Sequence, residues 1–160
     1  MVNDGLMAAL LAGGPEEKRP RTLIAKNAAI QDHLRGQLGI TLIALGGAFR
    51  VKYNVFFGEI AENKLSRLWA DLALISTPTV LGGRAFLLDD DVVRTNRAGM
   101  DTATQYCLLI NHGRFGQSAL HLLGDLREFA TIITDTALDA EETAALDQAG
   151  ITLTTAMEDA

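Results

Sequence analysis

Short apolar runs alternate along this chain with segments in which apolar residues recur every three or four positions. The central run is Ile40-Thr-Leu-Ile-Ala-Leu45, stopped by Gly46-Gly47. Apolar and β-branched residues that end in two glycines predict a buried strand opening into a loop where backbone can approach a ligand closely. A plain tight turn is the alternative reading of the two glycines. Upstream, residues 6–12 form a helix-compatible run closed by Gly13-Gly14-Pro15, and residues 16–21 read as a surface loop. Residues 22–25 predict a strand ending in Lys26-Asn27. Ile30, Leu34 and Leu38, spaced by four, then predict one helical face stopped by Gly39.

After the central run, Phe49 to Phe57 is loop or strand, because Arg50, Lys52 and Asn54 interrupt its aromatic and β-branched residues. From Glu59 a helix is predicted with Ile60, Ala61, Leu65, Leu68 and Trp69 on one side, Trp69 serving as a core anchor. Residues 71–76 are the next strand, and Gly82-Gly83 marks a further loop. Asp89-Asp90-Asp91 precedes Val92, Val93, Asn96, Met100 and Ala103. These fit a helix whose N-terminal dipole the solvated carboxylates complement. Residues 106–110 are the fourth strand, leading into a loop at 111–116; residues 130–134 are the fifth, ending at Asp135. Asp139 with Glu142 resembles a capping box for a helix through Leu146, stopped by Gly150, and residues 151–155 are the last strand. Strand and helix alternate, and the strands are almost wholly apolar. That pattern predicts an α/β fold, a Rossmann-like three-layer αβα arrangement with a mainly parallel sheet covered on both faces.

Composition narrows the function. A length of 160 residues with 48% apolar content predicts one compact domain over residues 1–160. The net charge of −6 repels phosphate backbones, so this chain alone is not expected to grip DNA or an anionic membrane. The single cysteine, Cys107, lies inside an apolar run, which predicts a packed thiol and a reducing compartment. No apolar run approaches the roughly 18 residues of a membrane span, and the first residues lack a basic leader, so the cytoplasm is expected.

The predicted strands end in Asn27, Gly46-Gly47, Thr77, Asn111 to Arg114, and Asp135. Parallel strands would bring these ends to one rim, where amide, glycine backbone and guanidinium suit an oxyanion or a polyhydroxylated ligand. GxGxxG, GxxxxGK[ST] and GxSxG patterns are absent, which removes the main support for dinucleotide, P-loop and hydrolase readings. His33, His112 and His121 lack zinc-ligand spacing, so no metal or cofactor is expected. His33 is placed facing solvent and His121 at a surface, while His112 sits on the rim. Asp135 reads as a loop-capping carboxylate ahead of a base, and no nucleophile, base and orienting partner assemble. No catalytic residue is expected.

From Thr22 onward the chain resembles the C-terminal sensor domain of the DeoR family of bacterial transcription regulators. The resemblance rests on Thr22-Leu-Ile-Ala-Lys-Asn27, Ile43-Ala-Leu-Gly-Gly47, Gly58-Glu-Ile-Ala-Glu62 and Ala70-Asp-Leu-Ala-Leu74. It continues in Arg97-Ala-Gly-Met100, Gly113-Arg-Phe-Gly116 and Ile133-Thr-Asp135. It implies a fold similar to sugar-phosphate isomerases and CoA transferases. It also implies a repressor of sugar or nucleoside catabolism whose sensor domain oligomerises and binds a phosphorylated sugar. Site residues carried over are Asp4, Gly5, Asn27, Gly46, Gly47, Arg97, Asn111 and Arg114. The family's Asp-x-Gly-Thr-Thr phosphate loop has its counterpart in Asn3-Asp4-Gly5-Leu6-Met7, which lacks both hydroxyls. Arg97 and Arg114 stand for lysines, and Asn111 for an aspartate. The family's helix-turn-helix is not in this sequence, so DNA contact is expected only through such a domain elsewhere and the chain reads as shortened at its N-terminus. An isomerase-like enzyme and a purely dimerising domain with a vestigial pocket are the competing readings.

Overall fold

The computed structural model describes residues 21–156, which fall into two compact units divided between Arg67 and Leu68. In the first unit, β1 (Arg21–Ala25) pairs in parallel with β2 (Ile40–Ala44), Ala25 lying opposite Ala44. Between them runs α1 (Ala28–Leu34), opened by Asn27, whose side chain accepts from the amides of Ala29 (2.9 Å) and Ile30 (3.2 Å). The expected stripe of Ile30, Leu34 and Leu38 is cut short. Arg35 turns extended, Gly36 adopts φ +83°, and Leu38 ends up 99% exposed, whereas Leu34 is buried. A left-handed glycine terminates the helix one turn before the spacing pattern does.

The ambiguous segment 49–57 is a hairpin. β3 (Ala48–Arg50) pairs antiparallel with β4 (Val55–Phe57), and Asn54 turns the chain at φ +55°. The Phe49 and Phe56 rings meet at 5.0 Å across the pair, a cross-strand contact of the kind that stabilises two-stranded ribbons. α2 (Glu59–Leu65) follows, burying Ala61 and Leu65. Its apolar face is narrower than expected: Ile60 is exposed, and the helix closes at Ser66 before reaching Trp69. Trp69 is 68% exposed and is not a core anchor; its indole N–H donates to Thr104 Oγ1 at 3.1 Å.

The second unit holds a four-stranded parallel sheet in the order β11 (Leu153–Thr155), β10 (Thr131–Thr134), β8 (Ala103–Ile110), β5 (Ala70–Ser76). Register sets Ile75 beside Leu108, Leu108 beside Ile132, and Ile132 beside Leu153, giving one apolar row across the sheet. The core packs on that face. Met100 of α3 (Asp90–Asp101) and Leu146 of α4 (Ala140–Gln148) join Ile75, Leu108 and Ile132 there. Cys107 points to the other face and is buried, which pushes its thiol pKa up and keeps it unreactive.

One element has no counterpart in the sequence expectations. β6 (Thr79–Leu81), β7 (Arg84–Leu87) and β9 (His121–Asp125) form an antiparallel sheet. Gly82 (φ +56°) and Gly83 (φ +71°), read as a plain loop, are the two-residue turn joining β6 to β7, the positive φ pair that suits a tight hairpin. The architecture is therefore α/β with a mainly parallel sheet, as the alternation predicts, plus this antiparallel insertion.

Candidate functional site

In the second unit β8 and β10 are neighbours, with Ile110 opposite Thr134, so the residues that follow them emerge side by side. Asn111 caps a short 3₁₀ turn, His112–Arg114, by accepting from the Gly113 amide at 3.0 Å. Its amide nitrogen donates to Asp135 Oδ2 at 2.5 Å. The His112 backbone N–H donates to Asp135 Oδ1 at 2.7 Å, and His112 Nδ1 lies 3.1 Å from both carboxylate oxygens. Asp135 thus ties the two strand ends together in the loop-capping role expected of it. Burial alone would raise its pKa, but the backbone amide and imidazole of His112 outweigh that and hold the carboxyl below its ordinary range.

Arg114 closes this turn. It is exposed, and among the described residues no hydrogen bond or ion pair engages its guanidinium. The following residue, Phe115, is buried and bridges to Val80 of β6, which anchors the turn to the antiparallel sheet. A rigidly capped turn carrying one unengaged cation can take an anion with little reorganisation. Thr77, at the end of β5, is turned inward instead: it is buried, and its hydroxyl donates to Phe86 O at 2.5 Å.

Arg97 lies elsewhere. From α3 it forms an ion pair with Glu128 at 2.6 Å, and Glu128 also accepts from the Asp125 amide at 2.8 Å. Glu128 belongs to the 3₁₀ turn Leu126–Glu128 that precedes β10, on the amino-terminal side of that strand. The hydrogen bond to Glu128 raises the Arg97 pKa against the opposing effect of burial, and the same bond lowers that of Glu128. No hydrogen bond or ion pair connects Arg97 to Asn111 or Arg114. Gly124 makes room for the pair, since a Cβ there would lie 2.5 Å from Glu128 Oε1 and 2.6 Å from Arg97 Nη2.

In the first unit, Asn27 and Gly46-Gly47 follow the carboxyl ends of β1 and β2. Asn27 is buried with its side-chain oxygen committed to capping α1. Gln31, which sequence reasoning passed over, donates to Ala25 O (2.8 Å) and Leu45 O (3.1 Å) and so fastens both strand ends. Lys64 donates to Ala44 O at 3.0 Å from α2. The two glycines differ. Gly46 has open space where a Cβ would stand, whereas a Cβ on Gly47 would lie 2.6 Å from Phe57 O, at φ +132°. Gly47 is required by packing, and Gly46 leaves backbone open to approach. Asp4 and Gly5 lie outside the described residues. Among the described residues, no group of three His, Cys, Asp or Glu side chains could hold a metal ion, and no helix is long and apolar enough to cross a membrane.

Comparison with known proteins bears on what this arrangement serves. The uncharacterized HTH-type transcriptional regulator YgbI of Escherichia coli is 30% identical over 132 residues, 82% of this chain and 52% of that protein. The L-fucose operon activator of Haemophilus influenzae is 25% identical over 120 residues, 74% of this chain and 48% of its own length. The chain spans about half the length of the curated relatives it matches. The model of the DeoR C-terminal sensor domain matches residues 1–136. Its strand-end motifs thus sit in a family of regulator sensor domains and not one of enzymes, and the chain belongs to the DeoR C-terminal sensor domain family.

Proposed function

We propose that residues 1–160 are the effector-sensing and oligomerisation domain of a DeoR-type transcription regulator, a repressor of sugar or nucleoside catabolism. Its effector is a phosphorylated sugar or similar small anion, and DNA is contacted through a separate helix-turn-helix domain. The observation that carries this reading is the capped turn after β8. Arg114 presents an unengaged guanidinium there, beside Asn111 and His112, whose positions Asp135 fixes. A planar guanidinium forks onto two phosphate oxygens. Asn27, Gly46 and Gly47 are proposed as ligand contacts of the first unit, the open backbone of Gly46 being the most accessible of them. Arg97 is a proposed contact whose use by an anion would have to compete with Glu128.

The test is a thermal-shift screen of the whole chain against sugar phosphates, each beside its unphosphorylated form. Ligand at a hundred times its dissociation constant stabilises by about 2.7 kcal/mol, which at this size moves the midpoint by roughly 5–10 °C. A shift confined to phosphorylated compounds and abolished by Arg114→Ala is expected. Arg114→Ala should leave the unliganded midpoint unchanged. Shifts that survive in Arg114→Ala would take the anion away from this turn.

A further inference from the structure

We propose that Asp135 locks His112 as the Nδ1–H tautomer, which leaves Nε2 as an acceptor for a ligand hydroxyl beside Arg114. This rests on reading the turn as the effector site. His112 Nδ1 stands 3.1 Å from both oxygens of Asp135. An ionised carboxylate only accepts, so the hydrogen between them belongs to Nδ1, and in a neutral ring the other nitrogen then carries the lone pair. The imidazole is half-exposed, 50% of its side chain being accessible, so that lone pair is within reach of a ligand.

The other side-chain acceptors of the turn already hold donors from within it. Asp135 Oδ1 takes the His112 amide at 2.7 Å and the Thr134 hydroxyl at 3.2 Å, and Oδ2 takes the Asn111 amide at 2.5 Å. Asn111 Oδ1 takes the Gly113 amide at 3.0 Å. Arg114 has donors only. Among the described residues, Nε2 is therefore the side-chain acceptor of this turn that holds no donor, next to a cation that takes an anion. One ligand class presents both groups within a short span: a small polyol bearing a phosphate. Asp135 is the positioning residue and acts through His112.

The first arm of the test needs no ligand. Long-range proton–nitrogen correlation spectra of histidine-labelled whole chain at about pH 8, where free imidazole is neutral, should show the Nδ1–H pattern for one histidine. That signal should vanish in His112→Phe, and Asp135→Asn should shift its tautomer balance toward Nε2–H. An Nε2–H pattern for His112 in the unaltered chain overturns the proposal. The second arm uses inorganic phosphate and the tightest-binding sugar phosphate of the screen. His112→Phe should weaken the sugar phosphate on the order of tenfold and leave inorganic phosphate within about twofold. Equal loss for both, or loss for neither, overturns the hydroxyl-reading role. If no sugar phosphate binds at all, that role falls together with the proposed function, while the Nδ1–H pattern still decides the tautomer lock.

Discussion

Replacing Asn111 by aspartate would put the residue expected of the family into this turn, and the structure says it should not be tolerated quietly. Asn111 Nδ2 donates to Asp135 Oδ2 at 2.5 Å. A carboxylate in its place removes that donor and sets two negative charges against each other. Unit charges about 4 Å apart repel by about 1 kcal/mol in water and by about 4 kcal/mol at an effective dielectric of 20. Asp135 keeps 42% of its side chain accessible, which favours the lower end, about 1–2 kcal/mol. The lost hydrogen bond adds about 1 kcal/mol. Asn111→Asp should thus cost about 2–3 kcal/mol, or roughly 4–12 °C in midpoint at this chain length. Asn111→Ala, which loses the bond without adding charge, should cost about 1 kcal/mol.

The pH dependence separates the two contributions. In the natural chain the folded pKa of Asp135 is lowered, so its stabilising contribution is present above the ordinary carboxylate value and is lost as pH falls through the lowered one. In Asn111→Asp the two carboxylates share the site, and one of them has its folded pKa raised. Its penalty is absent below the ordinary value of about 4 and grows as pH rises through the raised value. The gap between variant and natural chain should therefore open between about pH 4 and pH 6 and stay flat above it. Urea denaturation at four pH values measures this. A gap of the same size at every pH would mean that repulsion between residues 111 and 135 is not its cause, and equal stability at pH 7 would refute the contact itself.

Three further substitutions probe glycines. Gly47→Ala brings a Cβ to 2.6 Å from Phe57 O at φ +132° and should cost about 2–4 kcal/mol, whereas Gly46→Ala meets open space and should stay within about 0.5 kcal/mol. Closely similar urea midpoints for the two would contradict the assigned packing. Gly124→Ala pushes on the flexible ends of Arg97 and Glu128, so it should break their ion pair at about 1 kcal/mol while sparing the core. Arg97→Ala should then cost little more in the Gly124→Ala background, so a double-mutant cycle shows the two substitutions to be non-additive; an undiminished cost of Arg97→Ala there would show that the pair survives.

How far the sequence carries the fold depends on the range of the interaction involved. The apolar runs at 22–25, 71–76 and 106–110 become β1, β5 and β8, and the Asp139 cap accepts from the Glu142 amide at 2.8 Å as its spacing implies. These depend on neighbours in the chain. The failures come where a local signal is read one turn too far, or where its partner is remote. Leu38 keeps the helical spacing, but Gly36 has already ended α1. Trp69 is large and apolar, yet it lies beyond the end of α2 and spends its N–H on Thr104, 35 residues away. β9 contains Gly124 and ends in Asp125, so it lacks the unbroken apolar run that marks the parallel strands, and its partner β7 is far away in sequence.

The same distinction governs the candidate site. Arg97 and Arg114 look alike in sequence, as two cations standing where lysines are expected. What separates them is Glu128, 31 residues from Arg97, and the only local hint is the Asp125-Leu-Arg-Glu128 spacing of a capping box, which the structure forms. A carboxylate recruited to cap a turn is also free to hold an arginine, and Arg97 is held. Asn111 and Asp135 are 24 residues apart, and they meet only because β8 and β10 are adjacent in the sheet. Strand order is set by which faces can be buried together, and that is not written in any single strand. Given the order, however, the amide at position 111 has a physical reason: beside Asp135 a donor is stabilising and a second carboxylate is not. The departure of Asn111 from the family pattern thus belongs with Asp135 and His112 as one hydrogen-bonded unit, and among the described residues that unit leaves the Arg114 guanidinium and the second nitrogen of His112 without a hydrogen-bond partner.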